Sequence, residues 1–135
     1  MRIMYDTRKD LPCEALHDLF MAVGWSDGIE SPAMLKNFNV PFINSTIVFS
    51  AWAEDKLIGC VRVLSDRMFR SILYDLAVMP EFQGQGIGKE LVRRCREYFP
   101  DSEWLVETET AAGFYEKIGF KPNKDIFLSV PCKWF

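Results

Sequence analysis

The chain has 135 residues, 49% of them hydrophobic and 14% aromatic, which is enough to bury one core and too few for two ordinary domains. Its formal net charge of −3 comes from 16 basic and 19 acidic residues interspersed along the sequence, so nucleic-acid binding gains no support. No apolar run reaches the ~18 residues of a membrane span and the first residues lack the apolar stretch of a signal peptide, so a single cytoplasmic domain without membrane contact is expected.

Residues 2–7 have the character of a first strand. Asp10 then offers a helix N-cap, with Pro12 and Glu14 in the first turn. Leu16, Leu19, Phe20 and Val23 recur at helical spacing, and Gly24 supplies the stop. His17 falls beside that stripe, the place of a boundary residue. Turn formers around Trp25 lead to Ser31-Pro32, an N-cap followed by proline at the first helical position, which predicts a short helix over 32–37.

Strand formers over 45–53, a turn at Glu54-Asp55-Lys56 and a second run over 57–64 predict a hairpin, which the strand over 71–79 joins as the central strand. In the helix predicted over 87–99, Ile87, Leu91, Val92, Cys95 and Phe99 form the buried stripe, with Lys89, Arg93, Arg94, Arg96 and Glu97 outside it. A strand over 103–107 and a helix over 111–118 follow. Two last strands are expected from Phe120 onward, turning at Asn123-Lys124-Asp125.

Between the central strand and the long helix lies Gln83-Gly84-Gln85-Gly86-Ile87-Gly88-Lys89. Glycines in such a turn can direct successive backbone N–H groups into one concavity, and the start of the next helix adds unpaired N–H groups and the positive end of its dipole. The expected guest is a phosphate or pyrophosphate. The dinucleotide fingerprint fails, because counting from Gly84 its third glycine would fall on Lys89; the P-loop pattern fails at Gln83 and Glu90.

What remains, Gln83-x-x-Gly86-x-Gly88 directly after Leu76-Ala77-Val78, resembles the acetyl-CoA signature of the GCN5-related N-acetyltransferases. A second segment, Ala111-Ala112-Gly113-Phe114-Tyr115-Glu116-Lys117-Ile118-Gly119-Phe120, resembles the same family's later motif, Ala-x-x-Phe-Tyr-x-x-x-Gly-Phe. The resemblance implies an α/β (α+β) fold: a mixed, mostly antiparallel sheet of about six to seven strands, splayed between the fourth and fifth, with about four helices on both faces. It implies acetyl-CoA as co-substrate, and direct transfer of acetyl to an amine in a ternary complex.

The resemblance also implies roles. The strand of Leu76, Ala77 and Val78 would carry a bulge and splay outward, leaving ladder groups unpaired for the pantetheine arm. The backbone of Leu76 and Val78 would pair with that arm, Ala77 would keep its side clear, and Gln83, Gly84, Gln85, Gly86, Ile87, Gly88 and Lys89 would hold the pyrophosphate. Phe114 joins the cofactor set. Thr108 stands where the family commonly has Asn, a shorter side chain without an amide.

Val78 N–H is the family's usual oxyanion donor, and Tyr115 sits where the family places its general acid. Asp75 is the candidate base, with Glu107 its competitor and plain hydrogen-bond acceptance the alternative for either.

The acceptor end would be built from the region between the first two helices and the last strands, so Trp25, Ser26, Glu30 and Phe127 are candidates to line it, and Asp27 and Glu30 would suit a cationic amine. A small-molecule primary amine is the leading acceptor. Acetylation of protein lysines or N-termini and a non-catalytic acetyl-CoA-binding module are the alternatives. No metal site is expected, since Cys13, Cys60, Cys95 and Cys132 are scattered without a C-x-x-C and His17 is the single histidine. Cys60 and Cys95 fit small core side chains. The tail Cys132-Lys133-Trp134-Phe135 could pack in a homodimer.

Overall fold

The structure is a computed structural model and describes residues 2–133. Its elements run β1 (Ile3–Asp6), α1 (Cys13–Ala22), α2 (Pro32–Lys36), α3 (Val40–Ile43), β2 (Ile47–Ala53), β3 (Lys56–Ser65), β4 (Arg70–Val78), a 3-10 turn (Pro80–Phe82), α4 (Ile87–Tyr98), β5 (Glu103–Val106) and α5 (Ala112–Lys117). The five strands form one sheet in chain order, β1-β2-β3-β4-β5, antiparallel up to β4 and parallel between β4 and β5.

Helices cover both faces. Gly59 lies beneath α4, where a Cβ would stand 3.3 Å from Leu91 Cδ1. Arg62, three residues on along the same strand, points to the other face, under Phe42 of α3. Leu11, Leu16, Leu19, Phe42, Ile58, Val61, Val63, Leu91 and Val92 are all almost fully buried around this sheet. The expected stripe of α4 is buried at Ile87, Leu91, Val92 and Cys95 and partly at Phe99, and Cys60 and Cys95 are core residues.

β4 and β5 pair only from Arg70↔Glu103 to Leu73↔Val106. β5 then stops, while β4 continues through Tyr74, Asp75, Leu76, Ala77 and Val78 with β3 on one side and no strand on the other. The expected splay between the fourth and fifth strands would open here, where their pairing ends.

Two expectations are corrected. Among the described residues there are five strands, not six to seven, because no strand follows α5. The run of strand formers over residues 126–130 is hemmed between Pro122 and Pro131, and Ile126, Leu128 and Val130 are at least 85% exposed, with no surface to pack on. Asp10 does not cap α1: buried Leu11 and Pro12 intervene, the helix starts at Cys13, and the Asp10 carboxylate accepts from Arg8 Nε at 3.2 Å. α3 was not foreseen in the sequence, being a single turn with Pro41 inside it. Of the aromatic tail, Trp134 and Phe135 lie outside the described residues.

Candidate active site

The strand carrying Leu76-Ala77-Val78 is bulged. Cys60 pairs with Ala77 and Arg62 with Tyr74, so Asp75 and Leu76 together face the single residue Val61. Asp75 takes a left-handed backbone, φ 53°, the conformation in which short polar side chains replace glycine. After the bulge, Met79 N–H donates to Ile58 O at 2.8 Å, toward β3. Ladder groups alternate sides along a strand, so the N–H of Val78, and that of Leu76 two residues earlier, point to the edge that β5 has vacated.

The loop that follows is folded back on this strand by Gln83, whose Nε2 donates to Val78 O at 2.9 Å. Gly84 (φ 79°) and Gly86 (φ 82°) are both left-handed and stand in open space, and no side chain caps α4. Gln83 N–H is bonded to Pro80 O and Glu90 N–H to Gly86 O; between them the N–H groups of residues 84–89 have no acceptor among the described residues. Six consecutive donors at the positive end of a 12-residue helix could cradle an anion.

The two cations near it differ. Lys89, exposed in the first turn, has no carboxylate partner among the described residues, whereas Arg93 is bound by Glu90 (2.6 Å) and Glu97. Hydrogen bonding from Arg93, then from Arg94, holds the Glu90 carboxyl down at about 2. Of the two, Lys89 is the one whose charge is uncommitted.

α5 closes the site from above. Phe114 packs on Gly88 and near Val78, which brings the two sequence motifs into contact. Tyr115 is 7% exposed, edge-on to Phe114 at 5.0 Å and to Phe120 at 5.4 Å. Burial, reinforced by the neighbouring Cys95 thiol, pushes its phenol up to about 12, so it keeps its proton throughout the neutral range. Thr108 Oγ1 accepts from Ala111 N–H at 3.0 Å and so serves the start of α5. A cleft of about 930 Å³ opens here, with Lys89, Arg93, Val106, Thr108 and Tyr115 in its walls; Leu76, Ala77, Val78 and the loop glycines are not part of its lining.

Of the acceptor candidates, Glu30 is not open to a ligand by both oxygens: Oε1 is 2.8 Å from His17 Nε2 and Oε2 accepts from Ser26 Oγ. These bonds, Ser26 first and His17 second, lower the Glu30 carboxyl below its ordinary range and tie loop 24–30 to α1. Trp25 is half exposed and packs edge-on against Phe20 at 5.2 Å. Phe127 lies in the strandless last segment, 62% exposed. The sequence did not single out Arg62, whose Nε donates to Asp75 Oδ2 at 2.6 Å; the signal was its place on the strand facing Tyr74-Asp75 across the hairpin.

This arrangement, a sheet split beside a bulged strand with an anion cradle at its end and a buried phenol above it, has the fold of acetyltransferases. A probable acetyltransferase of unknown function from Meticillin-Resistant Staphylococcus aureus aligns with a TM-score of 0.80 at 21% identity, covering 98% of this chain and 100% of that one. An aminoglycoside acetyltransferase from an uncultured soil metagenomic sample aligns at 0.71 and 24% identity, covering 98% and 96%.

The Acetyltransferase (GNAT) domain family matches residues 44–122, and the chain belongs to that family of N-acetyltransferases. Its sequence is 30% identical over 131 residues to an uncharacterized N-acetyltransferase, ycf52, of Pyropia yezoensis, covering 91% of this chain and 72% of the relative. It is 28% identical to a histone acetyltransferase, TAP1, of Glycine max, covering 92% of this chain and 58% of that protein. The family's acyl donor is acetyl-CoA. No helix among the described residues is long and apolar enough to cross a membrane.

Proposed function

We propose that the chain transfers acetyl from acetyl-CoA to the primary amine of a small molecule, by direct attack with both substrates bound. The observation that supports this reading is the pair of unpartnered segments in succession: β4 beyond Leu73, which has no pairing with β5, and the N–H groups of residues 84–89 at the start of α4, which have no acceptor among the described residues. Such segments suit a long ligand with an amide-bearing arm and a pyrophosphate. Leu76 and Val78 hold the arm through their backbone, Ala77 keeps the side of the strand clear, and Gln83, Gly84, Gln85, Gly86, Ile87, Gly88 and Lys89 hold the phosphates. Phe114 forms the wall above. Thr108 contributes through the start of α5 more than by direct contact.

Bound there, acetyl-CoA supplies a thioester open to attack by an amine. Val78 N–H donates to the acyl oxygen as negative charge develops on it. Tyr115 gives its proton to the departing sulfur; a phenol that stays protonated across neutral pH is always in the right state for that step. Asp75 drains the proton from the amine. Trp25 and Glu30 bound the acceptor side, Trp25 as an apolar wall and Glu30 by fixing the loop, with Phe127 reaching it from the last segment.

A small acceptor is the leading reading, supported by the His17–Glu30 and Ser26–Glu30 bonds, which tie loop 24–30 to α1 and would hold it in place beside an acceptor. Acetylation of protein lysines or N-termini is the second reading, favoured by the relative named a histone acetyltransferase. Cytoplasmic residence is part of the proposal, supported by Cys13, Cys60, Cys95 and Cys132 all being free thiols.

The test is thiol release from acetyl-CoA across a panel of small primary amines and lysine or N-terminal peptides. Release with amines supports the leading reading, and release with peptides alone transfers the activity to proteins. Binding of acetyl-CoA without release from any acceptor would leave a non-catalytic module.

A further inference from the structure

Asp75 does not stand alone at the bulge. Its Oδ2 is 2.6 Å from Arg62 Nε, while its Oδ1 has no hydrogen-bond partner among the described residues. The guanidinium carbon of Arg62 lies 4.9 Å from the Tyr74 ring centroid and 5.8 Å from that of Phe42. The Arg62 side chain is 17% exposed and that of Asp75 29%. A guanidinium held by rings from β4 and α3 is fixed in orientation as well as place.

The backbone of Asp75 needs such a hold. Its φ of 53° is disfavoured for a residue with a Cβ, and two contacts secure it: the Arg62 ion pair on the side chain and Cys60 Sγ, 3.3 Å from Asp75 O, on the peptide. Arg62 itself sits on a regular stretch of β3, paired with Val48 on one side and Tyr74 on the other. The strained residue is thus tied to an unstrained one.

We propose that Arg62 is a positioning residue for transfer: it takes one Asp75 oxygen so that the other, Oδ1, is presented to the incoming amine. This rests on the transferase reading above and deepens it. The acceptor arrives as an ammonium; an N–H bond breaks, an O–H bond forms at Oδ1 directly or through one water, and the nitrogen lone pair becomes available for attack. That proton leaves to solvent after turnover, and the second nitrogen proton, lost as the tetrahedral intermediate collapses, replaces the one Tyr115 gives to sulfur. Through Phe42, the packing of α3 sets where Arg62 and hence Oδ1 lie, which makes Arg62 the link between the acceptor-side helices and the cofactor strand.

The experiment is a double-mutant cycle with Arg62→Gln and Asp75→Asn, measuring kcat and KM for the amine and, by calorimetry, the affinity for acetyl-CoA. Each single variant is expected to lose about tenfold or more in kcat/KM, the double variant no more than Asp75→Asn alone, with acetyl-CoA affinity within about twofold of wild type throughout. Arg62→Lys keeps the charge without the fork and recovers part of the loss.

Losses that multiply independently would overturn the proposal, as would a fully active Arg62→Gln or a parallel fall in acetyl-CoA affinity. Should Arg62→Gln not fold, a folded Arg62→Lys with wild-type kcat/KM overturns it equally. A wild-type protein that releases no thiol with any acceptor removes the transferase reading, and the positioning role falls with it; an active wild type beside an active Arg62→Gln removes the positioning role alone.

Discussion

Phe114 lies against Gly88: a Cβ at that glycine would stand 3.4 Å from Phe114 Cζ and 3.8 Å from Val78 Cγ2. This contact fastens α5 to the start of α4 and to the end of β4. It brings the start of α4, the end of β4 and the helix that carries Tyr115 together.

The two neighbouring glycines should behave differently. Gly86 has φ 82°, so Gly86→Ala forces a left-handed backbone on a residue with a Cβ, a cost of about 1–2 kcal/mol, and turns cradle N–H groups away. Gly88 is helical, and the added methyl meets Phe114 at ordinary contact distance, so Gly88→Ala leaves stability level or raises it by up to about 1 kcal/mol. Urea unfolding with acetyl-CoA calorimetry checks both: Gly86→Ala loses stability and affinity, Gly88→Ala neither.

Tyr115→Phe removes the phenol but keeps the ring contacts with Phe114 and Phe120. General acid catalysis is worth about 10²–10⁴-fold, so kcat should fall by at least about a hundredfold with acetyl-CoA affinity unchanged. Steady-state kinetics beside calorimetry is the check; a kcat near wild type makes Tyr115 only a packed aromatic.

Alkali should weaken the fold in a defined window. Burial raises the folded-state Tyr115 phenol from its ordinary 10.0 and the Cys95 thiol from 9.0, each to about 12. Both are neutral when protonated, so their contribution is fully present below the ordinary values. It is lost as pH rises from about 9 toward about 12, where the unfolded chain ionises first. Denaturation midpoints measured from pH 8 to 11.5 should fall steadily above pH 9, and Tyr115→Phe should flatten the part above pH 10.

Lys89 and Arg93, both basic and one helical turn apart, should not be equivalent. Arg93 is already neutralised by Glu90 and Glu97, so Arg93→Ala changes acetyl-CoA affinity by less than about twofold. Lys89→Ala removes an uncommitted charge from the cradle and should weaken binding about tenfold at low salt, with the difference shrinking as salt rises. Affinity measured at two ionic strengths distinguishes them.

Much of this was legible in the sequence because local signals and tertiary packing agree. Ser31-Pro32 starts a helix, with Ser31 Oγ accepting from Met34 N–H at 3.2 Å, and the 87–99 stripe buries the residues its periodicity marks. The left-handed turns at Gly84 and Gly86 were legible because glycine spacing sets backbone conformation directly. What the sequence hid are relationships between distant segments. Arg62 meets Asp75 only through hairpin register, and Glu30 meets His17 only through loop closure. The strands expected after Phe120 failed because strand propensity needs a surface to pack against, and residues 126–130 have none.

The central claim is that the open edge of β4 and the start of α4 together hold acetyl-CoA, and amide chemical-shift mapping by ¹⁵N NMR during a titration with CoA tests it most directly. The account predicts the largest changes at Leu76, Val78 and residues 84–89, with smaller ones at Phe114 and Tyr115. Saturable changes that spare Leu76, Val78 and the glycine loop while clustering elsewhere would contradict it.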